Sequence, residues 1–424
     1  MTSDDNEYGP LAPRRRTLFY GWVIVVACTI IQIAQYGIQY SFSVFFKPLA
    51  DDFSWSRGAT SGAYSVLMVC AGASAIPLGW LADKIGPARV MMACSLITGL
   101  AVVLASRVTE LWQLYATFGI MLGLGMGGTM AICGGVTARW FVKQRGTALG
   151  IVSAGIGLGT FIMPPIAEQL ISAFDWPKAY IIIGIGTGIV TVIASSLLRR
   201  SPDDMGQKPY GHQLTPEQPG PVLGQKEVSV TPAGILLKKA IGMKTLWLLA
   251  FMFFCVNICV QVIMVHLVNY ATDQGIAPLT AATLVSVIGV GGVVGRLFMG
   301  SVSDRIGAKN AALITCTLLL ASLLLLLFSS QIWLLYAFAI LFGFAYGGEV
   351  PQMTLLISQF FGLQAVMALT GAVSAATRAG GALGSWAGGH VYDVTRSYSF
   401  AFATIVVVAA VALVTAISLK RSKP

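Results

Sequence analysis

The sequence predicts an all-α membrane protein of twelve transmembrane helices, arranged as two pseudo-symmetric six-helix bundles. Three observations predict it. Of 424 residues, 56% are hydrophobic and only 10% charged, whereas a soluble domain carries about 25% charged residues, so a water-facing surface is out of reach. Apolar runs of about 20 residues, enough to cross the hydrocarbon of a bilayer, recur along the whole chain. They are continuous rather than alternating in polarity, which indicates helices and not barrel strands. Finally, one short frame of residues returns at the matching place in each half of the chain.

Taken in order, residues 1–17 form a polar tail containing Arg14, Arg15 and Arg16, without the form of a cleaved signal peptide. The first bundle, 18–200, holds apolar runs near 19–46, 57–81, 88–106, 111–140, 147–173 and 178–198. Residues 201–240, containing SPDDMGQKPYGHQLTPEQPGP, are polar and rich in Pro and Gly and read as a linker. The second bundle, 241–420, holds runs near 245–271, 280–303, 309–329, 332–361, 366–391 and 398–419. All seven cysteines fall inside predicted spans. Cys255 and Cys259 stand four apart without other soft ligands nearby, so they read as packing residues and no metal site is expected.

The formal charge of +10 suggests a nucleic-acid partner until the basic residues are placed. Of the 27 Lys and Arg, 20 fall on one side of the predicted membrane, in the tail, the linker, the C-terminal end and alternate loops. Five fall on the other side. The positive-inside rule then places both termini in the cytoplasm of a cell-membrane protein. The charge balance reports topology, and no nucleic-acid partner is expected.

The recurring frame is GWLADKIGPAR at 79–89 and GSVSDRIGAKN at 300–310, with Gly300 standing 221 residues after Gly79. Each copy follows the second span of its half. Gly79 and Gly300 allow close helix approach, Gly86 and Gly307 permit a tight turn, and Asp83 and Asp304 can cap it or pair with basic neighbours such as Arg305. This loop resembles the signature of the major facilitator superfamily. That resemblance implies two six-helix bundles rocking about a midplane site.

A second motif, WFVKQRGTALGIVSAGIGLG at 140–159, is similar to the monocarboxylate transporter signature. Lys143 and Arg145 supply its basic pair, and Ala148, Gly150, Ala154, Gly155 and Gly159 its small residues. Physically, small residues four apart let two membrane helices approach closely. YGWVIV at 20–25 and SVFFKPL at 43–49 resemble the entrance and exit of that family's first span. The resemblance extends to the bacterial oxalate/formate exchangers, which these motifs separate poorly from the monocarboxylate carriers.

Polar residues inside the spans carry the functional expectation. Arg296 and Arg378 lie in the middle of apolar runs, where a charge costs about 2.5–3.5 kcal/mol even on the mildest insertion scale. Such groups face a water-filled pathway or a partner, and two cations on one cavity would receive an anion. By resemblance, Arg296 occupies the place of the eighth-span arginine that pairs with the substrate carboxylate, and Arg378 that of a lysine in the eleventh span of the exchangers. A guanidinium suits a carboxylate through two parallel hydrogen bonds. Tyr36, Gln39 and Tyr40 belong to a polar stripe on the first span that should line the cavity. Tyr346 lies three residues before Glu349 and is read on the same face, able to donate to a substrate or to Glu349.

Glu349 and His266 are the candidate proton-coupling groups, since intramembrane acids often carry protons and histidine titrates near neutrality. The alternative for Glu349 is a permanent ion pair with Arg378. The family's span-eight aspartate is replaced by Gly292 and its span-one lysine falls at Tyr40, so any proton must ride on another group. The expected activity is secondary transport of a small monocarboxylate, lactate- or pyruvate-like, with a proton; the alternative is a dicarboxylate or oxalate/formate-type exchanger. The expected partners are a small organic anion, a proton and the lipid bilayer, with the chain acting as a monomer. No cofactor is implied. An enzyme is not expected, because no nucleotide loop, metal-spaced His/Cys cluster or nucleophile triad stands in a suitable context.

Overall fold

The computed structural model describes residues 19–141, 145–211, 242–328, 331–361 and 366–419. Lys143 and the side chains of Asp83, Arg145 and Asp304 lie outside the described residues.

Ten helices in the described residues are long and apolar enough to cross a membrane. The first half contains α1 (Tyr20–Phe53), α2 (Arg57–Ile85) and α3 (Pro87–Ala105). Next comes α4, built from Leu111–Leu114, a π-helical stretch Tyr115–Met121, Leu122–Gly127 and Thr129–Trp140. It is followed by α5 (Thr147–Phe174) and α6 (Trp176–Ser196). The second half contains α7 (Lys244–Asp273), α8 (Pro278–Ile306) and α9 (Ala308–Leu327). It ends with α10 (Ile332–Phe361), α11 (Val366–Thr395) and α12 (Tyr398–Ser418). The two helices outside the set of ten, α2 and α11, match the others in length but carry more small and polar residues, and they face each other across the two halves.

Local chemistry sets the helix ends. Ser56 caps α2 by accepting from the Ala59 N–H, satisfying one of the donors that a helix start leaves free. The turns between α2 and α3 and between α8 and α9 place Gly86 at φ +101° and Gly307 at φ +84°, a region that side chains disfavour. The repeated glycine is therefore a backbone requirement. Asp175, at φ 72°, breaks the chain between α5 and α6, with Pro177 opening the next turn.

Tyr20 donates to the Leu197 carbonyl (2.8 Å) and Lys309 to the Ile417 carbonyl (3.3 Å). The start of α1 thus lies beside the end of α6, and the start of α9 beside the end of α12; the side on which these ends lie is called here the termini face. The start of the expected linker is docked on this face instead of hanging free. Pro202–Met205 forms a 3₁₀ turn, the Tyr210 N–H donates to the Trp140 carbonyl (2.9 Å), and the Tyr210 ring packs on Phe19, Trp22 and Phe141. Burying that aromatic ring favours docking over solvation.

Apolar side chains of α3, α6 and α12 point outward, among them Leu96, Leu100, Ile189, Ile193, Val407 and Val414. A hydrocarbon surround explains a surface that water would not tolerate. The halves meet along α2 against α11, α5 against α8 and α1 against α7. At the α5–α8 crossing, Gly157 and Gly289 bring the two backbones into contact, since a Cβ on Gly289 would stand 2.7 Å from the Gly157 carbonyl oxygen.

Candidate functional site

The intramembrane polar residues converge where the halves meet. Arg296, eighteen residues into α8, is buried, with only 8% of its surface exposed. Its guanidinium carbon lies 5.4 Å from the centroid of the Tyr346 ring on α10. Nε and Nη2 are buried without a hydrogen-bond partner. The ion pairs among the described residues, Lys47–Asp273 and Arg57–Asp273, include neither Arg296 nor Arg378. A buried cation with unused donors is costly unless something comes to meet it.

The first half supplies phenols and amides opposite this cation. Tyr40 and Tyr346 join their hydroxyls across the halves at 3.0 Å. Gln39 donates to the Tyr64 hydroxyl of α2 (2.8 Å). Tyr36 faces the Arg378 guanidinium and lies within electrostatic reach of Arg296 and Tyr346. Tyr36, Tyr346 and Arg378 keep partial exposure.

The structure separates two residues that the sequence placed together. Tyr346 turns to Arg296 and Tyr40, whereas Glu349 turns into the second half, where Thr315 of α9 donates to its Oε2. The Glu349 Oε1 atom is buried and unpartnered. The alternative ion pair between Glu349 and Arg378 is absent among the described residues. A second acid, Glu168 on α5, is also buried, with Ser172 donating to it at 3.2 Å; it sits near the end of its span and escaped the sequence reading. So did Asn257 and Gln261, one turn apart on α7, whose buried carbonyl oxygens lack partners beside Gly381 of α11.

On the side opposite the termini, the halves are latched. Arg57 at the start of α2 gives two hydrogen bonds to Asp273 at the end of α7 (2.6 and 2.9 Å) and one to Tyr398 (2.9 Å). Asp393 of α11 accepts from the backbone N–H groups of Arg57 (2.8 Å) and Gly58 (2.7 Å), capping α2 from the other half. About two turns deeper, Ser65 and Ser385 pair at 2.7 Å. His266 stands behind this latch, with Nδ1 3.3 Å from the Tyr398 hydroxyl and Nε2 2.9 Å from the Ser385 carbonyl. It is buried, with both ring nitrogens engaged, and it belongs to the latch and not to the group around Arg296.

Comparison with known proteins decides the family. The model of the Major Facilitator Superfamily matches residues 28–316 and 249–424. The chain belongs to the Major Facilitator Superfamily. Among curated relatives, it is 26% identical over 386 residues to monocarboxylate transporter 13 of Bos taurus, covering 90% of this chain and 85% of that one. It is 26% identical over 409 residues to monocarboxylate transporter 12 of Homo sapiens, covering 90% and 77%. Solved structures of the same fold include a bacterial homologue of the human lysosomal transporter Spinster in an inward-facing, occupied conformation. That likeness has a TM-score of 0.70 at 14% identity, over 96% of this chain and 98% of that one. A variant of the nucleoside transporter NupG gives a TM-score of 0.72 at 13% identity, over 93% and 99%. The chain is therefore a multi-pass membrane carrier of this superfamily, a family of transporters rather than enzymes.

Proposed function

We propose that the chain is a secondary carrier of small monocarboxylates, lactate- or pyruvate-like, working by alternating access with proton symport. The observation that carries this reading is the Arg296 guanidinium, buried with Nε and Nη2 unpartnered. Those two nitrogens, directed along one edge of a planar group, suit the two oxygens of a carboxylate. Arg378, Tyr346, Tyr36, Gln39 and Tyr40 complete the substrate surface. The curated relatives named as monocarboxylate transporters support the same solute class.

Glu349 is the proposed proton carrier, because its free Oε1 and single hydroxyl donor suit either protonation state. His266, beside the latch, is the second candidate. The carrier sits in the cell membrane with both termini cytoplasmic, so the latch closes the outer side and the site communicates with the cytoplasm. At the termini face, Gly86 and Gly307 hold the tight turns, with Asp83, Asp304, Arg305, Lys143 and Arg145 the proposed charged groups of the conformational motifs. It works as a monomer.

A second reading, exchange of dicarboxylates, is favoured by one observation: neither arginine is paired with an acid among the described residues, which suits a doubly charged anion. Uptake of labelled lactate, pyruvate, oxalate and malonate into proteoliposomes separates the two. Stimulation of lactate uptake by an imposed proton gradient supports symport. Malonate or oxalate uptake that needs a preloaded counter-anion and ignores pH supports exchange, and absence of any carboxylate uptake rejects both.

A further inference from the structure

The register that relates Gly79 to Gly300 continues through the fifth and eleventh helices. It aligns Gly150 with Gly371, Val152 with Val373, Ser153 with Ser374, Ala154 with Ala375 and Gly159 with Gly380. In that register Arg378 corresponds to Gly157, and Gly72 corresponds to Val293. The structure joins these same positions at both crossings of the halves. A Cβ on Gly72 would meet Cδ of Arg378 at 3.1 Å, and a Cβ on Gly157 would meet Val293 together with Arg296 Nη1 at 3.1 Å. At each crossing the first half supplies bare backbone and the second half supplies the side chain. Both cations therefore lean on glycines of the opposite half.

The two seats differ in what surrounds them. Gly157 is also pressed on the Gly289 carbonyl oxygen, at 2.8 Å from a placed Cβ, so any substitution there parts two helices. Around Gly72, the only atoms outside its own helix within 4 Å of a placed Cβ, among the described residues, are Cδ (3.1 Å) and Cβ (3.7 Å) of Arg378. Close packing of the α2 and α11 backbones does not require a glycine here. A Cβ here would press only on the stem of Arg378, among the described residues.

We propose that Gly72 is a positioning residue for Arg378, setting where that guanidinium stands relative to Tyr36 and hence how the site fits its anion. A methyl at position 72 forces the stem of Arg378 off α2 by a few tenths of an ångström, and a branched side chain forces it further. The head, which faces Tyr36, moves with it. The transport consequence rests on the reading of Arg378 as a substrate contact; the geometric one does not.

The test uses the full-length carrier as wild type, Gly72→Ala and Gly72→Val. Purified protein in nanodiscs is treated with the arginine reagent phenylglyoxal, and peptide mass spectrometry follows modification of Arg378 with Arg296 as internal reference. A several-fold change in the Arg378 rate, larger for Val than for Ala, with the Arg296 rate unchanged, is expected. An unchanged Arg378 rate, or parallel changes at both arginines, overturns the proposal. In proteoliposomes, Gly72→Val raises the KM for lactate several-fold with Vmax preserved, and has no further effect when Arg378→Ala is already present. An equal loss of Vmax in both backgrounds marks a structural role and overturns it. Absence of lactate uptake by the wild type refutes the proposed substrate, while the labelling result still decides the role of Gly72.

Discussion

Replacing Arg296 by methionine removes a buried charge while keeping much of the side-chain length. The guanidinium has two unpartnered buried nitrogens, Nε and Nη2. Each buried, unsatisfied donor costs about 1–3 kcal/mol, and more when charged. The contact with the Tyr346 ring at 5.4 Å returns about 0.5–2 kcal/mol. The balance leaves the empty carrier destabilised by Arg296, so Arg296→Met should raise the melting temperature of the ligand-free protein by a few degrees. A bound carboxylate would add two charge-assisted hydrogen bonds of about 1.5–3 kcal/mol each. Losing both weakens affinity by about 100-fold or more, at 1.4 kcal/mol per tenfold. Thermal unfolding in detergent, followed by tryptophan fluorescence with and without lactate, reads both effects. The expected result is a higher melting temperature without lactate and no shift on adding it. A fall in melting temperature without lactate, as when one member of a buried ion pair is removed at about 3–5 kcal/mol, would mean that Arg296 has a fixed acidic partner and would refute the reasoning.

Three further outcomes follow from the same geometry. Ser65→Cys with Ser385→Cys, built where the two hydroxyls stand 2.7 Å apart, should cross-link the halves on oxidation and abolish uptake, with recovery on reduction; unimpeded transport by fully cross-linked protein would contradict a moving latch. Tyr40→Phe and Tyr346→Phe share one hydrogen bond across the halves, so the double variant should lose less lactate affinity than the sum of the two single losses, and fully additive losses would contradict that link. Glu349→Gln should keep lactate exchange between preloaded vesicles yet lose its acceleration when the outside is acidified, whereas a normal pH response would remove Glu349 from the proton path.

The parts of this molecule that were legible in the sequence are those whose physics is local. Arg296 announces itself because a charge amid apolar residues needs a reason, and Gly86 and Gly307 because a positive φ excludes most side chains. The latch was not legible. Arg57 and Asp273 are 216 residues apart, and Arg57 and Asp393 are 336 apart, each an ordinary charged residue at a helix end until the halves are assembled. The grouping of Tyr346 with Glu349 failed for a geometric reason. Three residues turn a helix through about 300°, which leaves the two side chains about 60° apart. Here that angle sends one to the interface and the other to Thr315 of its own half. The docking of Tyr210 could have been suspected from the one aromatic ring in an otherwise polar stretch, though its partners Phe19, Trp22 and Phe141 could not.

The central claim is that Arg296 is held unpaired in order to receive a carboxylate between the two halves. A structure of the carrier soaked with lactate tests it most directly. The expected result is a carboxylate whose two oxygens lie about 2.7–2.9 Å from Nε and Nη2 of Arg296, the range of charge-assisted hydrogen bonds. Lactate bound elsewhere, with those two nitrogens still without a partner, would contradict it.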